Sequence, residues 1–216
     1  MEGRGAVDEH LPGAADEGAD LAALRAALAA RAAADGLLDV AYRTLDSPVG
    51  PLLLAATERG VVRVAFGRED HDAVLAALAA RLSPRVLHAP ARLEAAAREL
   101  GEYFEGRREG FDLPLDLSLA AGFRRDVLGA LRALPYGTTA TYTRVAGLAG
   151  SPRAVRAVGT ACARNPLPLL VPCHRVVRSD GGTGEYVGGA AAKRLLLDLE
   201  SGPGSTAAGG RGMVGP

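Results

Sequence analysis

The chain has 216 residues, 25 basic and 25 acidic, so its formal net charge is zero; hydrophobic residues make up 48% and charged residues 23%. This balance is that of a globular protein and excludes collagen-like, low-complexity and wholly disordered chains. No basic-then-apolar leader follows Met1, no clean apolar run could span a bilayer, and the two cysteines form no CxxC pair, so a cytoplasmic setting and no metal site are expected.

Residues 1–37, acidic and Ala-rich, are expected to be a mostly disordered extension, although Asp20 to Ala34 carries a thin Leu stripe at helical spacing. In the next segment, 38–116, Val40 to Leu45, a turn at Ser47-Pro48-Val49-Gly50 and Pro51 to Ala56 read as a β-hairpin. Gly60 to Phe66 supplies a third strand, and Asp70 to Leu82 and Ala91 to Phe104 have helical spacing. This unit is expected to be a small α/β domain with an antiparallel sheet.

From 117 to 201 the pattern is mainly helical. Phe123 to Leu134 is one helix, Thr138 to Leu148 a second, and Pro152 to about Arg164 a third, with Ser151 as N-cap and Pro152 at its first position. Two short helices around Ala149-Gly150 make a helix-turn-helix candidate, a pattern that helical hairpins without ligands share. The fold class is therefore α+β, with a disordered tail over 202–216.

Charge is unevenly spread. Residues 1–36 are net −4 and 37–120 net −3, whereas 121–200 hold 11 basic and 5 acidic residues, net +6. A basic half suits a polyanion-binding face, or a solvated face with no partner. The third helix sets Arg153, Arg156 and Arg164 among Ala154, Ala157, Gly159, Ala161 and Ala163. Small residues permit close approach of a groove, or of a neighbouring helix.

Pro172-Cys173-His174-Arg175 follows the apolar run Leu167 to Val171. Cys173 reads either as a small buried hydrophobe or as a reactive thiol. For the second reading, His174 or Arg175 could favour a thiolate, and the Gly-rich stretch from Arg178 to Gly189 lets backbone approach a ligand. The helix from Ala190 ends in Glu200, a carboxylate able to orient His174. Adjacent Cys and His side chains point apart on regular backbone, so a bridging water or a turn must link them.

Pro172-Cys173-His174-Arg175-Val176, placed after Arg156-Ala157-Val158-Gly159 and Asn165-Pro166 and before Tyr186, Gly188-Gly189 and Lys193, resembles the O6-alkylguanine-DNA alkyltransferases (methylated-DNA–protein-cysteine methyltransferases). The match is strong over about residues 121–200, weaker but consistent over 38–120, and absent at both ends. It implies a ribonuclease-H-like N-terminal domain and a helical catalytic domain carrying the helix-turn-helix.

The resemblance also implies DNA repair by direct damage reversal: irreversible, single-turnover transfer of an alkyl group from O6-alkylguanine, or O4-alkylthymine, to Cys173. By carry-over, Cys173 attacks as thiolate, His174 takes the proton through water, Glu200 orients His174 and Asn165 holds the turn. Tyr142, Thr143, Ser151, Arg156 and Ser179 are the DNA-binding positions, with Arg156 replacing a base flipped out of duplex DNA from the minor groove. Tyr142, Val176, Tyr186 and Val187 form the substrate pocket, and main-chain carbonyls of Cys173 and Val176 read the guanine. No cofactor or zinc is implied, and a monomer is expected. Val187 departs from the family, many of whose members have Ser there. The alternatives are a non-catalytic sensor of alkylated DNA, which lacks the cysteine, and a Cys-His hydrolase.

Overall fold

In the computed structural model, residues 14–202 are described. The first element is a helix, α1 (Ala14–Ala34). It corrects the expectation of disorder for that part of the extension: Ala29 and Ala32 pack on the domain and are buried, which gives the Ala-rich segment a tertiary anchor that its propensity alone lacks. The rest of that expectation, and the tail from 203, lie outside the described residues.

Strands β1 (Val40–Leu45), β2 (Leu52–Thr57) and β3 (Gly60–Phe66) form an antiparallel meander, with Leu45 opposite Leu52 and Leu52 opposite Phe66. A three-residue strand, β4 (Val86–His88), joins β1 in parallel and completes the sheet order β3-β2-β1-β4. Side chains alternate across β2: Leu52, Leu54 and Ala56 enter the large core, while Leu53 and Ala55 enter a smaller one under α2 (His71–Arg81) with Leu78. Both faces of the sheet are thereby covered. Asp70 caps α2 by accepting from the amides of Asp72 and Ala73.

After a 3₁₀ turn at Pro90–Leu93, α3 (Glu94–Phe104) buries Leu100 and Tyr103 in the large core. That core runs without a break into the second half of the chain. There α4 (Phe123–Arg132), α5 (Tyr142–Leu148) and α6 (Val155–Ala163) pack through Val127, Leu128, Leu131, Val145 and Val158. Two-residue strands β5 (Ala140–Thr141) and β6 (Val176–Val177) pair in parallel, and α7 (Gly189–Glu200) closes the chain. The expected α+β class and two-part architecture are present.

Two helix starts differ from the sequence reading. α5 begins four residues late because Ala140 and Thr141 are drawn into pairing with β6, and Thr141, whose hydroxyl accepts from the Arg144 amide, is its cap. α6 begins at Val155 rather than Pro152. The Ser151 carbonyl accepts from the Ala154 amide to close a turn first, so Ser151 is a turn residue and not the cap.

Candidate active site

The end of α6 and the turn that follows it position the thiol. Asn165 leaves the helix fully buried; its Oδ1 accepts from the Leu167 amide at 3.0 Å and its Nδ2 donates to the Val171 carbonyl at 2.9 Å and to Cys173 Sγ at 3.2 Å. This one side chain ties the helix to the thiol across a tight buried loop. Leu169 in that loop takes φ 74°, a left-handed conformation that costs a branched residue about 1–2 kcal/mol. Pro172, at φ −79° and ψ 64°, forms an inverse γ-turn in which the Cys173 amide donates to the Val171 carbonyl at 2.8 Å.

Cys173, His174 and Arg175 form a single 3₁₀ turn, and all three are buried. A 3₁₀ turn splays successive side chains apart. His174 Nε2 lies 2.9 Å from Glu200 Oε1, and with the hydrogen on Nε2 the lone pair sits on Nδ1, which is buried without a protein partner. Burial lowers the pKa of His174 against the opposing pull of Glu200, so the neutral ring is favoured.

Arg175 turns the other way, away from the thiol. Its Nε and Nη2 clamp Glu200 at 2.8 and 2.9 Å, and its Nη1 donates to the Leu134 carbonyl at 2.7 Å. The sequence reading that set Arg175 beside the thiol is corrected here. Glu200 also accepts from the Tyr103 hydroxyl at 2.7 Å and the Gly137 amide at 3.3 Å. Burial alone would raise its pKa, but the hydrogen bonds from His174 and Arg175 outweigh that and hold it at about 2. It is a permanent anion at physiological pH.

The thiol itself is pushed up to about 11 by burial, with the Asn165 hydrogen bond and the charge of Lys193 acting to lower it. A preformed thiolate, the expectation from the sequence, is therefore not the resting state. Lys193 is fully buried, and its ammonium donates to the Val176 carbonyl at 2.6 Å and to the Thr183 carbonyl. It fastens the Gly-rich loop to the strand behind the thiol.

A pocket of about 540 Å³ opens beside this centre, lined among others by Tyr142, Cys162, Arg178, Tyr186 and Val187. Tyr186 forms an inner wall, its ring edge-on to both Phe66 (5.5 Å) and His174 (6.1 Å). No side chain fits at Gly188, where a Cβ would meet the Phe66 ring at 2.7 Å. Of the four expected pocket residues, Tyr142, Tyr186 and Val187 line the space. Val176 does not: it is fully buried, and its carbonyl already accepts from Lys193.

Cys173, His174, Glu200 and Asn165 are thus brought together. Thr143 and Arg156 are exposed on α5 and α6, Ser151 is half-buried in the turn between them, and Ser179 is exposed on the loop after β6. Sequence reasoning missed Tyr103, Gly137 and Lys193 as parts of the site, and Cys162 as a pocket residue. Only Lys193, the single lysine of the chain, carried a usable signal. Among the described residues no group of three or more His, Cys, Asp or Glu could hold a metal ion.

Comparison with known proteins gives consistent results. Residues 40–117 match the ribonuclease-like domain of 6-O-methylguanine DNA methyltransferase, and residues 122–202 match its DNA-binding domain. A methylated-DNA–protein-cysteine methyltransferase of Methanosarcina barkeri is 39% identical over 159 residues, covering 74% of this chain and 96% of the relative. A mouse protein of the same name is 39% identical over 193 residues, covering 81% and 88%. The crystal structure of Mycobacterium tuberculosis OGT in complex with DNA superposes with a TM-score of 0.65 at 36% identity, covering 74% of this chain and 92% of that one.

Proposed function

Since the chain belongs to the 6-O-methylguanine DNA methyltransferase family, we propose that it repairs DNA by moving the alkyl group of O6-alkylguanine onto its own Cys173. The observation that carries this assignment is His174, hydrogen-bonded through Nε2 to Glu200 and with a free Nδ1 next in sequence to a buried thiol.

The chain binds DNA and is a methyltransferase. In the proposed step the target guanine enters the pocket between Tyr142, Tyr186 and Val187. The Cys173 proton passes through one water to His174 Nδ1, and Sγ attacks the alkyl carbon in line with its bond to O6. An S–C bond forms, the C–O6 bond breaks, and its electron pair stays on the purine. The guanine is restored when it takes up the proton that left the thiol. With the free thiol titrating near 11, proton removal belongs to the attack itself. Glu200, held anionic, stabilises the imidazolium formed on the way. The thioether has no leaving route, so each chain acts once.

For DNA, we assign α6 to the minor groove, with Ala154 and Ala157 allowing close contact and Arg156 filling the gap left by the flipped base. Thr143, Ser151 and Ser179 contact the backbone, and a net +6 half makes binding salt-sensitive. One chain holds every reacting group, so a single copy is the catalytic unit. No helix among the described residues is long and apolar enough to cross a membrane, which suits work on DNA in the cytoplasm.

The test is the intact mass, with peptide mapping, after incubation with duplex DNA carrying one O6-methylguanine. One methyl on Cys173, saturating at one per chain, is the expected result. An unmodified protein that still binds the lesion would reverse the assignment in favour of a sensor, and repeated turnover would reverse it in favour of a hydrolase.

A further inference from the structure

A cleft of about 520 Å³ lies between α2, the start of α4 and the end of α6. It adjoins the pocket beside Cys173, because Ala163 and Val187 line both. Four arginines face it, Arg63, Arg81, Arg124 and Arg164, against two carboxylates, Glu69 and Asp70. Both carboxylates are engaged. Glu69 accepts from Arg63 and, at 2.9 Å, from the Phe66 amide, while Asp70 is tied to the amides of Asp72 and Ala73 as the cap of α2. With Arg63 neutralised in this way, the cleft keeps a net positive charge. Counting charge by halves of the chain hides it, since Arg63 and Arg81 belong to the net-acidic segment 37–120.

Two of these arginines are drawn together. Arg81, the last residue of α2, and Arg124, in the first turn of α4, both donate through Nη2 to the Leu119 carbonyl, at 3.5 and 2.7 Å. Arg124 Nε is buried without a protein partner. Guanidinium groups that converge on one neutral oxygen repel each other, and an anion held between them replaces that repulsion with charge-assisted hydrogen bonds. Arg164, next in sequence to the shared Ala163, is a third cation on the same cleft. The frame is fixed: the Val64 amide of β3 donates to the Pro166 carbonyl at 2.9 Å, which joins the N-terminal sheet to the loop after α6.

We propose that this cleft is a phosphate site that holds the DNA strand beside the nucleotide in the pocket, with Arg81 and Arg124 as paired ligands and Arg164 as a third cation. The inference rests on the alkyltransferase reading above. A strand whose nucleotide enters the pocket passes Ala163 and Val187, and so brings a neighbouring phosphodiester to the cleft. Planar guanidinium forks match the oxygens of that group. Through Arg81 the N-terminal half takes a direct part in binding DNA, although none of the reacting groups belongs to the cleft.

The test is fluorescence anisotropy of the full chain on duplex DNA carrying one O6-methylguanine, measured against salt in a Cys173→Ala background so that no transfer intervenes. The slope of log affinity against log salt should fall by about one for Arg81→Ala, and by about two when Arg124→Gln is added. Arg107→Ala, on the loop after α3 and outside the cleft, should leave the slope unchanged. With Cys173 restored, transfer from a free-base O6-methylguanine analogue should be the same with and without Arg81→Ala. A failure of the alkyltransferase reading would show separately, as no transfer by the wild type. A slope indifferent to Arg81→Ala and Arg124→Gln overturns the proposal, and so does one that Arg107→Ala lowers equally. Inorganic phosphate that binds by calorimetry and is lost in Arg81→Ala, while DNA affinity ignores that substitution, also overturns it, in favour of a small-anion site.

Discussion

The hydroxyl of Tyr103, on α3 of the N-terminal half, donates to Glu200 at the last position of α7, at 2.7 Å. The carboxylate that orients His174 is therefore held from both halves of the molecule. Tyr103→Phe removes one donor and leaves the ring packing in place. Stability should fall by about 1 kcal/mol, and the single-turnover transfer rate by several-fold as Glu200 loosens. Urea unfolding and a timed transfer assay measure the two effects separately.

Asn165 should matter more than its size suggests. Asn165→Ala strips the hydrogen bond from Sγ and leaves the Leu167 amide unpaired in a buried loop, at a cost of about 1–3 kcal/mol. The free thiol should titrate higher still. Iodoacetamide labelling of Cys173 as a function of pH reads this directly, and an unchanged profile would mean that Nδ2 has no influence on the thiol.

Acid should unfold the protein in two stages. His174 titrates lower in the folded chain than in the unfolded one, and so does Glu200, at about 2 against an ordinary 4.5. Both groups therefore bind more protons when unfolded, and the stability each contributes is present at neutral pH and lost as pH falls. The loss should begin below about pH 6.5 through His174 and steepen below 4.5 through Glu200. Melting temperature against pH shows it, and Glu200→Gln should flatten the lower branch.

Arg156 is exposed on α6, and the proposed function gives it the gap left by the flipped base. Arg156→Ala should slow repair of duplex DNA by at least about tenfold, since flipping costs a few kcal/mol, but should scarcely affect reaction with a free-base analogue. Equal losses on the two substrates would remove its role in flipping.

The parts of the site visible in sequence were those carried by local order: a proline that fixes the thiol, a histidine beside it, and an acid at a helix end. Arg175 was misjudged because adjacency in sequence says nothing about direction on a 3₁₀ turn. Tyr103 could not be seen, as nothing local marks a tyrosine that meets its partner 97 residues away. In the fold, β4 was missed because three residues make no periodic pattern. α1 was undervalued because what holds it is burial of two alanines against the domain, a tertiary contact that propensity does not register.

A protein that the proposed reaction consumes must also survive the wait for it. Cys173 is 3% exposed and protonated at rest, so stray electrophiles and oxidants meet a thiol of low reactivity rather than a thiolate. The burial that makes His174 necessary thus sets the shelf life of an unused copy, and the fraction of the cellular stock still able to act when a lesion arises.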